Sequence, residues 1–119
     1  MELLPEDIKD GSDDRAVAVL RAVAHPIRFR IMRVLADKRR FGVDDDGCCP
    51  RRELCVCRIN ELFDISAPTL SHHLRLLRDA GLIEGRREGV WIYYAVRPEA
   101  ISSLQSALGV ITPYQPKEE

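Results

Sequence analysis

Apolar residues recur at helical spacing through the first two thirds of the chain and in tighter alternation after it. Val17, Leu20 and Val23/Ala24 follow Asp13 and Asp14, which can cap a helix there, and His25-Pro26 breaks it. Pro26 suits the first position of a second helix, to about Ala36, with Ile27, Ile31, Val34 and Leu35 on one stripe and Arg28, Arg30 and Arg33 turned largely elsewhere. Residues 37–52 mix charge runs, two glycines and a proline, and read as a loop. Glu53–Phe63 predicts a short helix that offers Leu54, Ile59, Leu62 and Phe63 to the core. Asp64-Ile65-Ser66 then makes a turn, with Ser66 as N-cap of a helix over about Ala67–Ala80. In that helix Leu70, Leu74 and Leu77 lie at i, i+4 and i+7, Gly81 is a suitable C-cap, and Thr69, Ser71, His72 and Arg75 are left outside.

The rhythm then shortens. Leu82-Ile83 and Val90–Val96 predict two strands joined by a basic, glycine-containing turn, Gly85–Gly89. Pro98 opens a last helix carrying Ile101, Leu104, Ala107, Leu108 and Ile111. The class is α+β, and helices, a helix-turn-helix and a β-hairpin come in the order of a winged helix. In such a module the second helix of the pair lies in the major groove and the hairpin reaches alongside. The expected organisation is an acidic flexible leader at 1–13, one domain at 14–111 and a flexible tail at 112–119. Ser66, Thr69, Ser71, His72 and Arg75 are the candidate contacts to base edges or phosphates of double-stranded DNA, and Arg86 and Arg87 on the wing the candidate phosphate contacts.

Charge sharpens this picture only when it is divided along the chain. The formal net charge is -1, yet residues 26–58 carry nine Lys/Arg against five Asp/Glu, while residues 1–25 carry three against six. Phosphate affinity follows the local patch, so a basic middle between acidic ends is compatible with DNA. The N-terminus lacks the basic and apolar regions of a signal peptide, and no run of eighteen apolar residues occurs, so a cytoplasmic protein without a membrane partner is expected. All four cysteines, Cys48, Cys49, Cys55 and Cys57, fall within ten residues directly ahead of the helix-turn-helix. Disulfide frameworks spread their cysteines across distant loops, so this cluster points instead to thiolate chemistry.

Glu53-Leu54-Cys55-Val56-Cys57, then Ser66-Ala67-Pro68-Thr69-Leu70-Ser71-His72-His73-Leu74, then the Arg86–Tyr94 wing together resemble the ArsR/SmtB family of metal-responsive transcriptional repressors, over about Ala22 to Val96. The resemblance implies a homodimer, joined through its terminal helices, that blocks an imperfectly palindromic operator and leaves it when metal binds. It also implies that Cys55 and Cys57 ligate the inducer, as in the arsenical- and cadmium-sensing branches. In the arsenic-sensing pattern a third cysteine follows three residues later, where this chain has Asn60; Cys48 and Cys49 are the substitutes at hand. The final helix lacks the histidines of the zinc-sensing members.

Thiolates select soft ions, here As(III) or Sb(III), with Cd(II), Pb(II) or Zn(II) as alternatives; three sulfurs suit pyramidal As(III), and four a tetrahedral ion. Because helical residues i and i+2 point roughly 200° apart, Cys55 and Cys57 are expected to meet one ion only if this turn is strained or unwound. Two other readings keep DNA binding: a repressor that senses oxidation through a disulfide, and a winged helix with a structural zinc. No C-x-x-C precedes a βαβ pattern and no nucleophile-base arrangement is suggested, so the chain is not read as an enzyme. His72 and His73 are expected to face DNA and the helix packing respectively, and Trp91, Tyr93 and Tyr94 to alternate between core and surface.

Overall fold

Pro26 has no N–H to continue a preceding turn, and the chain uses it to divide its first two helices. A computed structural model describes residues 11–38, 40, 53–109 and 111–113. Helix α1 spans Gly11–Val23 and α2 Pro26–Ala36. Between them His25 is extended, and its Nδ1 accepts the Ile27 N–H at 3.0 Å, capping α2. Strand β1 (Leu54–Cys55) runs straight into α3 (Val56–Leu62), and α4 follows at Ala67–Asp79. Strands β2 (Ile83–Glu88) and β3 (Trp91–Val96) form the hairpin, and α5 covers Pro98–Gly109. The antiparallel sheet has the order β1-β3-β2. The helices, the helix pair α3–α4 and the hairpin make the expected winged helix.

The core lies where α2, α3 and α4 meet the base of the sheet. Ile31, Leu54, Ile59, Leu70, Leu74, Leu77, Leu82 and Ile83 are fully buried there, each contributing roughly 1.5–3 kcal/mol of transfer free energy. Helix α4 is fixed at both ends. Ser66 Oγ accepts the Thr69 N–H at 3.3 Å. At the other end Gly81 N–H reaches Arg78 O at 2.9 Å and Leu82 N–H reaches Leu77 O at 3.0 Å, a paired closure between two leucines that are both fully buried.

Several expectations are corrected. The Glu53–Phe63 segment is not helical throughout, because Leu54 and Cys55 pair with Tyr94 and Tyr93 of β3 before the helix begins. The hairpin turn is not Gly85–Gly89. Gly85 stays in the ladder beneath the Tyr94 ring, and the chain reverses at Gly89, whose φ is +62°, and Val90; Arg86 and Arg87 are thus strand residues. Helix α1 already includes residues 11–13 of the expected leader, so Asp13 and Asp14 lie inside its span. On α5 only Ala100, Ala107 and part of Leu104 are covered, while Ile101, Leu108 and, beyond it, Ile111 stay exposed. Residues 1–10, 41–52 and 114–119, with Cys48 and Cys49 among them, lie outside the described residues.

One polar joint fastens the back of α4 to the start of α2. Arg28 Nη1 lies 3.2 Å from His73 Nδ1, and Arg28 Nε donates to the Ala22 carbonyl at the end of α1. The His25 ring stands 4.7 Å from that of His73. Burial first, and then the charges of His25, Arg28 and His72, hold the His73 imidazole below the ordinary histidine value of 6.5.

Two outcomes follow from these contacts. Gly81 has φ +80° with open space around its Cα, so Gly81→Ala meets no clash but an unfavourable backbone conformation; it should cost about 1–2 kcal/mol, read from the urea midpoint. The His73 proton is taken up more readily by the unfolded chain, so its contribution is intact above the ordinary value and is lost as pH falls through 6.5 toward the lower folded value. His73→Gln keeps an acceptor for Arg28, and should flatten the decline in Tm between about pH 7.5 and about pH 5.5; an unchanged slope would assign that decline to other groups.

Candidate nucleic-acid interface and thiol site

With Leu70, His73, Leu74 and Leu77 turned inward, α4 shows Thr69, Ser71, His72, Arg75 and Arg78 to solvent. This is the outward set that the periodicity predicts, with Arg78 added. Ser66 and Thr69 hydroxyls lie 2.8 Å apart at the helix start, so the cap also orients the Thr69 side chain. Arg78 sits 3.8 Å from Asp79. The face is polar, short-chained at its N-terminal end and cationic further along, which suits a major groove lined by base edges and bounded by phosphates.

The two wing arginines differ. Arg87 is exposed at the register of Ile92. Arg86 instead turns across the sheet: Nε and Nη2 donate to both carboxylate oxygens of Glu53, at 2.9 and 2.8 Å, and Nη1 donates to Glu88 at 2.8 Å. Its guanidinium lies over the Tyr93 ring, 4.8 Å from the centroid. The bond to Arg86 is the largest cause holding the Glu53 carboxyl below the ordinary carboxylate range, and the same two carboxylates push Arg86 up. Tyr94 is buried, Tyr93 half-buried and Trp91 half-exposed, the alternation expected of a strand covered on one face.

Cys55 is 1% exposed and Cys57 half-buried. Their sulfurs lie 3.0 Å apart, which corrects the expectation that this turn must unwind. The reason is local. Cys55 is not a helical residue but the N-cap of α3, extended at φ −65° and ψ 142°, and its thiol makes no capping bond to the helix. The 100° step that would separate i and i+2 does not apply across a strand-to-helix junction. The pair is a ready bidentate soft donor, so the residues present fit a thiophilic ion through two ligands. Among the described residues no group of three His, Cys, Asp or Glu side chains converges to hold a metal, and Cys48 and Cys49 lie outside them. A groove of about 520 Å³ elsewhere is lined by Ile27, Phe63 and Arg30 among others, with none of the cysteines in its lining.

Comparison with known proteins agrees with this fold. The family model described as bacterial regulatory protein, arsR family, matches residues 50–84, from ahead of the thiol pair through α4 to the first residues of β2. The arsenical resistance operon repressor of Bacillus subtilis is 36% identical over 74 residues, which cover 62% of this chain and 70% of that protein. The cadmium resistance transcriptional regulatory protein CadC of Listeria innocua is 30% identical over 103 residues, 87% of this chain and 85% of that one. Among solved structures, a possible transcriptional regulator for arsenical resistance superposes with a TM-score of 0.63 at 26% identity, over 77% of this chain and 81% of that one.

Proposed function

Since the chain belongs to the ArsR family of DNA-binding transcriptional repressors, which are not enzymes, we propose that it is released from its operator when As(III) or Sb(III) is taken by the thiolates of Cys55 and Cys57. The observation that carries this reading is the 3.0 Å approach of the two sulfurs at the very point where β1 becomes α3. Soft sulfur donors favour such ions over oxygen-seeking ones. Cys48 or Cys49 supplies the further sulfur that Asn60 does not, and four sulfurs would turn the preference to Cd(II), Pb(II) or Zn(II). The cadmium-resistance name of one relative keeps that second ion class in view. The same sulfur approach also favours an oxidant as the signal: two thiols give a disulfide as peroxide takes two electrons and two protons to form water.

The DNA-reading unit is a homodimer in the cytoplasm. Helices α1 and α5 pack on each other and leave Val17, Ile101 and Leu108 exposed, an apolar face that a second copy would cover. Two reading helices then address half-sites about 34 Å apart on an imperfect palindrome. Thr69, Ser71, His72 and Arg75 meet base edges, Ser66 sets the helix start, and Arg87 meets phosphate.

The deciding experiment is a titration of reduced protein on DNA from upstream of its own gene with As(III), Sb(III), Cd(II), Zn(II) and peroxide. Release by arsenite or antimonite supports the reading, release by peroxide alone replaces it with the redox one, and zinc that is held without release makes the metal structural. Cys57→Ser should bind the operator as the wild type does yet ignore arsenite; wild-type sensitivity in that variant would remove Cys57 from the site. Arg75→Ala should weaken specific binding by about 1–3 kcal/mol if it reads a base, whereas Arg87→Ala should lower the salt slope by about one on every sequence.

A further inference from the structure

Three strands place the sensor thiol and the wing on one rung. Cys55 pairs with Tyr93 across β1 and β3, and Tyr93 pairs with Arg86 across β3 and β2. Directly paired residues share a face of a sheet, as do residues two apart on one strand. Cys55, Tyr93, Arg86 and Glu88 therefore line the same face, and Glu53, the residue before β1, meets Arg86 there. Strands β1 and β2 have no backbone bonds to each other, because β3 lies between them, and two strand spacings put them roughly 9–10 Å apart. The Arg86 side chain crosses that gap with the Tyr93 ring beneath it, and each of its three nitrogens bonds a carboxylate oxygen. On the far side the Glu53 carbonyl accepts from Lys38 Nζ at 3.1 Å.

Resting on the reading of Cys55 and Cys57 as the sensor, we propose that the Glu53–Arg86 bridge is the positioning contact through which the wing follows the thiol strand. Glu53 is two residues from Cys55, and β1 is only two residues long, so its backbone tie to the sheet is a short one and reaches β3 alone. The bridge is the side-chain contact that carries a displacement of β1 directly to β2. A lone exposed ion pair adds little stability; a two-pronged one stacked on an aromatic ring fixes a geometry. It also sets the roles of the two wing arginines apart. Arg86 has its charge balanced by Glu53 and Glu88 and serves the switch, whereas Arg87 presents its charge to the phosphates.

The test uses the full reduced chain with Glu53→Gln, Arg86→Gln, the double variant and Arg86→Lys, and with arsenite and cadmium chloride as probes. Three quantities are read: ion affinity, operator affinity with and without ion at several salt concentrations, and emission of Trp91. Trp91 is the chain's only tryptophan and pairs with Glu88 on the wing. Ion affinity and the salt slope should stay at wild-type values in Arg86→Gln. The ratio of operator affinities with and without ion should shrink by about tenfold, equally in both single variants and no further in the double one, and Arg86→Lys should recover part of it. A salt slope reduced by about one with the ratio intact would make Arg86 a phosphate contact and overturn the bridge. Should ions shift Trp91 emission in the wild type without releasing DNA, the sensing reading falls, and the bridge stands if Glu53→Gln abolishes the shift. Release in the wild type with no emission change, and equal release in the variants, leaves the sensing reading and overturns the bridge. No response of either kind in the wild type overturns both.

Discussion

The extended backbone at Cys55 is the constraint on which the rest of the arrangement depends. At φ −65° and ψ 142° this residue ends a strand and begins a helix in one step. Upstream, the strand conformation lets Leu54 be buried against the sheet while Leu54 and Cys55 pair with β3. Downstream, it starts α3 at Val56, and the second residue of that helix, Cys57, brings its sulfur back to within 3.0 Å of Cys55. A fully helical segment would have sent the two sulfurs to opposite sides, and a fully extended one, with its period of two, would have aligned the side chains but spread them along the strand. The mixed junction alone gives a compact soft-donor pair that belongs both to the sheet and to the helix leading into the reading helix.

The reading helix can present a polar face because its other face is over-determined. Its three inward leucines are fully buried, the Ser66 cap closes its N-terminus, and the Gly81 closure fixes the C-terminus onto Leu82. His73 adds direction to what the apolar contacts leave free to slide: with Arg28 at its Nδ1 it ties the helix to the start of α2, and Arg28 is itself held by the Ala22 carbonyl. Apolar burial sets how strongly α4 is held; this directional contact sets its rotation. The outward residues Thr69, Ser71, His72 and Arg75 inherit that rotation.

What was legible in the sequence divides by the range of the interaction concerned. Helix α4 was readable because everything that defines it is local: the leucine spacing, the Ser66 hydroxyl and Gly81 lie within one short stretch. Strand β1 was not, since two residues cannot display a period, and Leu54-Cys55-Val56-Cys57 satisfies a helix as well as a strand. Only the pairing with Tyr93 and Tyr94, far along the chain, decides between them. The wing held two glycines, and either could have made the turn; the approach of Tyr94 keeps Gly85 in the ladder and leaves the reversal to Gly89. Ile101 and Leu108 had core-like spacing yet are exposed, since spacing alone does not say whether an apolar stripe is covered. The Arg28–His73 and Glu53–Arg86 contacts join side chains distant in sequence and left no local trace.

The preformed sulfur pair also changes where the energy for switching must come from. Moving an operator complex from nearly all bound to nearly all free requires about 5.5 kcal/mol of difference in ion affinity between the two states. If the two sulfurs had to be brought together by unwinding a turn, the strain of that turn would supply the difference. Sulfurs already 3.0 Å apart make no such demand on the backbone, and an ion bound equally by both states shifts nothing. In the proposed switch the differential comes from a further sulfur, that of Cys48 or Cys49, which would draw Cys55 toward it. Among the described residues Cys55 is tied to β3 through its pairing with Tyr93 and to α3 as the residue that begins it. In that switch the conformational work falls on the junction between sheet and helix pair, which leads to the wing on one side and to α4 on the other.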